Sequence, residues 1–323
     1  GGMKGLGLAG AAMRLLEQGY TFPRVAGTSS GAVAGALLAA GVDAAGFAKL
    51  MGRLDYSRVP DRDAPGIPVA SETASLLAKG GAHPGRYIHG WIREELEQLG
   101  VRTFGDLRRA DAGADANLVA SRRYKLVVMA TDITFGRLLR LPWDYELFDL
   151  DPDQQLVADA VRASISIPLY FEPPRLRDQG TGVESTLVDG GVLSNFPVEI
   201  FDRTDGLEPR WPTFGVKIIP ALPGADAELF PPLALPTLPP VRQLEQVLAT
   251  AIVGHDQTYI ERPCVRRRMI DVDTRSIGIL EFDADQGKRD QVAAEGRDAT
   301  DAFLAGWDWD GYRTECRGVT LEG

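Results

Sequence analysis

The amino-acid sequence predicts an α/β protein of three layers, with a mainly parallel central sheet and helices on both faces. Short apolar runs alternate with helical periodicities along most of the chain, an order that favours parallel strands joined by helical crossovers. One run, residues 125–130, is almost continuously apolar, as a strand buried on both faces requires. A tight glycine turn joins the first strand to the helix behind it. The 323 residues suffice for two domains or one large one, and 44% hydrophobic with 25% charged residues is the balance of a globular protein.

Each element follows from local pattern. Residues 6–18 read as a helix, with Leu8, Ala12, Leu15 and Leu16 at helical spacing and Gly19 as its stop. Residues 22–26 read as a strand, and 30–40 as an alanine- and leucine-rich helix ended by Gly41. Pro, Gly and charge dominate 56–86, which suits an irregular, lid-like insertion. Helix is expected at 88–99, strands at 125–130 and 137–141, helix at 154–163, a strand at 185–188 and a helix at 197–202. Strand 214–219 leads into a proline-rich loop, 221–240. Helix 241–260, strand 269–272 and a last helix, 286–307, complete the order. A single domain is expected over 1–310, with 311–323 as a C-terminal tail.

Charge and cysteine content narrow the function. A net charge of −10 and a pI near 4.9 provide no basic field, so nucleic-acid binding is not expected. Cys264 and Cys316 are too few for a metal cage or a disulfide framework, which makes a reducing compartment the default. The longest apolar stretch, 32–42, is about half of what a bilayer span needs. No apolar strand stands ahead of the opening glycines, so further residues are expected upstream, where a signal peptide or anchor could lie.

Gly27-Thr28-Ser29-Ser30-Gly31 is a G-x-S-x-G pentapeptide between an expected strand and helix, the context of a nucleophile elbow. Ser29 would occupy a strained turn, and glycines on either side would let strand and helix close around it. Ser30 is the competing hydroxyl, but the symmetric glycines centre on Ser29. Gly1-Gly2-Met3-Lys4-Gly5 can present several backbone N–H groups to one point, as an acyl-transfer oxyanion demands. The overlapping Gly5, Gly7 and Gly10 spell G-x-G-x-x-G, the dinucleotide fingerprint. That fingerprint needs an acidic residue about 20 positions on, and residues 20–42 contain no Asp or Glu. For a base, the sequence offers His83, His89, His255 and Asp189; the last ends an apolar strand and is followed by Gly190 and Gly191.

Taken together, these motifs resemble one family, the patatin-like phospholipases. Gly1 to Gly5 is similar to the family's glycine-rich oxyanion loop, Gly27 to Gly31 to its G-x-S-x-G, and Asp189-Gly190-Gly191 to its D-G-G/A. Order and spacing agree, with further similarity at 163–168, Phe171 and 195–198, and the likeness runs to about Trp307. It departs at the front, where the family has a strand before the loop, and this leaves open which amides are the donors.

The resemblance implies a patatin-like fold and a Ser29-Asp189 dyad working through an acyl-enzyme. Gly1, Gly2, Met3, Lys4 and Gly5 would line the oxyanion hole, Gly27, Thr28, Ser30 and Gly31 form the elbow, and Gly190 and Gly191 support the dyad. No cofactor or metal is implied. Substrates would be phospholipids or other lipid esters, met by transient membrane contact through the 56–86 insertion or the leucines of 229–238. The expected location is cytoplasmic, with peripheral placement at a membrane as the alternative. Two other readings remain at this point: a Ser-Asp-His esterase using His255, and a lipid-binding protein without catalysis on the same fold.

Overall fold

The computed structural model describes residues 4–62, 75–76, 78–109, 122–219, 257–275 and 285–318, with isolated positions between 243 and 251. Gly1, Gly2, Met3, His255, the loop 221–240 and most of 63–77 lie outside the described residues. The helices are α1 (Gly5–Glu17), α2 (Ser30–Ala39), α3 (Ala44–Arg53), α4 (Arg86–Gln98), α5 (Val157–Ser164), α6 (Gln257–Ile260), α7 (Pro263–Arg266), α8 (Gln286–Ala305) and α9 (Trp309–Arg317). The strands are β1 (Val25–Thr28), β2 (Gly81–His83), β3 (Leu126–Asp132), β4 (Arg137–Leu141), β5 (Leu169–Phe171), β6 (Arg175–Arg177), β7 (Glu184–Asp189), β8 (Gly215–Ile219) and β9 (Met269–Asp273).

Strand β3 is the axis of the central sheet, and all seven of its residues are buried. Beside it, β1 runs parallel, with Thr28 opposite Met129, and β4 runs antiparallel, with Val128 opposite Leu141. Antiparallel to β3 as well, β7 takes over where β1 stops, with Asp189 opposite Ala130. Val128 and Met129 pair with both β1 and β4, and Ala130 to Asp132 with both β4 and β7. A strand has two edges, so β1 and β7 share one edge of β3 and meet there end to end. Two residues 160 positions apart in sequence thereby become neighbours.

The α/β class and the helix-covered central sheet agree with the sequence, but the pairing is mixed rather than mainly parallel. Besides β1 with β3, the parallel pairs are β2 with β5 and β8 with β9; β3 with β4, β3 with β7 and β6 with β7 are antiparallel. The reason is local. Residues 133–136, ending in Gly136 at φ 64°, are too few for a parallel crossover and force a hairpin. Residues 178–183 do the same between β6 and β7.

Helix α2 packs on β1 and β3, and α5 on β3 and β7. Helix α1 serves two cores: Leu6 and Ala9 enter the main one, while Ala11 and Leu15 join Ile270 and Val272 of β9 in a smaller one. Its glycines exist for helix contact. A Cβ on Gly10 would lie 2.0 Å from the Ala293 carbonyl oxygen, and one on Gly296 would lie 2.0 Å from that of Gly7, so α1 and α8 cross backbone against backbone. This accounts for G-x-G-x-x-G without a nucleotide.

Four expectations change. Residues 197–202 form turns instead of a helix. The first strand lies at Val25–Thr28, three residues later than its start was expected. The stretch taken as a tail is helical to Arg317. Cys264 and Cys316 form a disulfide across 52 positions, so the expectation of reduced thiols falls. Among the described residues no helix is long and apolar enough to cross a membrane.

A cavity of about 960 Å³ lies between the outer edge of β1 and β8, with Ser29, Asp189, Arg24 and Trp143 among its lining residues. No strand pairs with that outer edge among the described residues. Only the part around Ser29 bears on the chemistry below.

Candidate active site

The turn between β1 and α2 holds Ser29 at φ 55° and ψ −125°, a region that non-glycine residues avoid. Gly27 makes this turn possible, because a Cβ there would lie 2.1 Å from the Gly31 carbonyl oxygen. Gly31 is under no such demand. A Cβ there would meet only Leu8 Cδ1, at 3.8 Å, which departs from the expectation that both flanking glycines are needed. The Thr28 hydroxyl donates to the Ser194 carbonyl at 3.1 Å and ties the elbow to the chain following Asp189.

Asp189 ends β7 with its carboxylate accepting from the Gly191 N–H at 2.7 Å and from the Ser29 hydroxyl. The side chains are 8% and 2% exposed, respectively, for Ser29 and Asp189. Burial pushes the Asp189 carboxyl above the ordinary carboxylate range, and the two hydrogen bonds offset part of that rise. Gly190 is required for close approach, since a Cβ there would lie 2.4 Å from the Met129 carbonyl oxygen. At Gly191 a Cβ would meet Asn195 Oδ1 at 2.4 Å.

One tripeptide touches both residues. The Ser29 N–H donates to Ser164 Oγ at 2.9 Å, and the Asp189 N–H donates to the Ser166 carbonyl at 2.8 Å. Arg162, buried one turn earlier, anchors this segment: it donates to Ser166 Oγ at 2.5 Å, to the Pro84 carbonyl at 2.8 Å and to the Glu172 carbonyl at 2.9 Å. Burial lowers its guanidinium to about 10, still cationic at neutral pH. The 163–168 stretch stood out in the sequence, but nothing local there pointed to a contact with Ser29.

Helix ends supply the positive field. A Cβ on Gly5 would lie 3.0 Å from Ser30 Cβ, so the start of α1 abuts the start of α2. Neither first turn contains an acidic residue, and the unpaired N–H groups of both helix ends favour negative charge beside Ser29. Lys4 is buried at the start of α1, with its ammonium donating to the Thr274 carbonyl at 3.3 Å. The histidines are elsewhere. His83 Nδ1 bonds the Asp61 carbonyl at 2.9 Å, and His89 Nε2 bonds Asp159 at 2.8 Å.

A strained hydroxyl, a buried carboxylate in contact with it and converging helix N-termini form a constellation suited to acyl transfer. A family model described as patatin-like phospholipase matches residues 1–202. The chain is 38% identical over 222 residues to the uncharacterized protein YqhO of Bacillus subtilis, covering 68% of this chain and 69% of that one. It is 30% identical over 207 residues to an uncharacterized NTE family protein of Mycobacterium tuberculosis, covering 64% of this chain but 28% of that longer protein. Among solved structures, VipD from Legionella pneumophila superposes with a TM-score of 0.54 at 19% identity, covering 95% of this chain and 66% of VipD; that likeness concerns the fold.

Proposed function

The chain belongs to the patatin-like phospholipase family, whose activity is lipid ester hydrolysis, and on that premise we propose that it cleaves lipid acyl esters through Ser29 and Asp189. The Ser29 oxygen attacks the ester carbonyl while Asp189 takes its proton. The tetrahedral oxyanion is met by N–H groups at the starts of α1 and α2, together with the glycine loop that opens the chain. Collapse releases the alcohol, which leaves with the proton from Asp189, and an acyl-Ser29 remains. Water, deprotonated by Asp189, then frees the fatty acid and restores the hydroxyl.

The observation that carries this reading is that β1 and β7 meet end to end along β3 and bring Ser29 and the buried Asp189 together, each tied to the 164–166 segment, because burial turns an ordinarily weak base into a useful one. Phospholipids or other lipid esters are the proposed substrates. Product analysis by mass spectrometry after incubation with phosphatidylcholine tests it, alongside fluorophosphonate labelling. Ser29→Ala and Asp189→Asn are each expected to lose on the order of 10³-fold or more in turnover, and labelling should vanish in Ser29→Ala. Parent-level turnover in either folded variant would overturn the mechanism. Since the base must be ionised, the acid limb of the rate profile should lie above the ordinary aspartate value of about 3.9.

A further inference from the structure

Of the seven large apolar side chains exposed among the described residues, four, Ile133, Phe135, Leu147 and Val183, belong to three turns at one end of the molecule. Ile133 and Phe135 form the tip of the β3–β4 hairpin and are 53% and 57% exposed. Arg137 binds the turns together. Its guanidinium lies 4.9 Å from the Phe135 ring centre and 5.1 Å from that of Phe148, it is paired with Asp132 at 3.0 Å, and its charge is felt by Asp178. Backbone bonds complete the connection: Ile133 N–H to the Thr186 carbonyl at 3.0 Å, Gln179 N–H to the Phe148 carbonyl at 2.9 Å and Asp178 N–H to the Val183 carbonyl at 2.9 Å.

This end is the one that faces the candidate active site along β3. Ala130 pairs with Asp189, so the hairpin tip begins three residues further on, about 10 Å away at strand rise. We propose that Ile133 and Phe135, flanked by Leu147 and Val183, insert into a lipid bilayer and bring the Ser29 end of the sheet to its surface. The inference rests on the lipid-hydrolase reading for its choice of partner: a substrate held in a bilayer has to be reached at that surface.

The chemistry favours a neutral bilayer over an anionic one. Two cations at this end are paired, Arg137 with Asp132 and Arg175 with Glu184, and the whole chain carries −10, so attraction to acidic headgroups contributes little. Apolar tips on separate turns, with an arginine lying along an aromatic ring, match the interfacial pattern of shallow insertion with a snorkelling charge. This surface differs from the 229–238 leucines expected from sequence, which lie outside the described residues.

Flotation with phosphatidylcholine vesicles tests the proposal, comparing the parent with the double variant I133S/F135S and with Leu207→Ser, a control equally exposed in another stretch. The double variant should lose about tenfold or more in vesicle binding and in vesicle-lipid hydrolysis, with hydrolysis of dissolved p-nitrophenyl butyrate unchanged. Leu207→Ser and Ser29→Ala should float like the parent, and parent binding should survive 0.5 M salt. Equal flotation of parent and double variant, absence of parent binding, or its loss in salt would each overturn the proposal. So would a change of oligomeric mass in the double variant, which would make the patch a contact between copies, or an equal loss on the dissolved ester. Should the parent float through these residues yet hydrolyse nothing, the membrane surface stands while the hydrolase reading falls.

Discussion

At the scale of single residues, Asp189 carries a cost that its neighbours do not remove. Because burial raises its proton affinity, the native state keeps a proton between pH about 3.9 and the raised native value, where the unfolded chain has released it. The group's contribution to stability is therefore greatest below that interval and declines as pH rises through it. Asp189→Asn, whose amide oxygen can still accept from Gly191, is expected to melt higher than the parent at pH 8, with the gap closing by pH 3.5. Thermal unfolding at the two pH values checks this, and a gap independent of pH would contradict it. Ser164 makes a different prediction. Ser164→Ala leaves the Ser29 N–H buried without its acceptor, at a cost of about 1–3 kcal/mol, and fluorophosphonate labelling should slow about tenfold or more. The sequence announced the elbow and the Asp-Gly-Gly turn because tight turns write their steric demands as glycines. It did not announce Ser164, whose side chain meets Ser29 across 135 positions, a relation that no local pattern encodes.

At the scale of elements, β1 and β7 meeting end to end along β3 explains why the carboxyl ends of both strands matter. The two glycines of the pentapeptide divide accordingly. Gly27→Ala would drive a methyl into the Gly31 carbonyl and should cost about 1–3 kcal/mol or more. Gly31→Ala, in the first turn of α2 with room for the methyl, should leave stability unchanged or raise it by up to about 1 kcal/mol. Chemical denaturation of both variants decides between this division and the symmetric role that the motif suggests. Glycine spacing alone could not separate them, nor could it tell the helix contact at Gly7 and Gly10 from a nucleotide loop; in each case the deciding atom belongs to another element.

At the scale of the whole molecule, alternation of strands and helices gave the α/β class but not the direction of pairing. Residues 133–136 contain a single glycine, and 178–183 look like any polar loop, so two hairpins passed for crossovers in the sequence. The cysteines were misjudged for a related reason. Two thiols 52 positions apart say nothing of proximity until α7 and α9 are packed together. Their bond has a practical outcome for anyone handling the protein. One protease cut anywhere between Cys264 and Cys316 produces two fragments that migrate as a single band on a gel without thiol and separate only after dithiothreitol; separation without it would mean that the crosslink never formed.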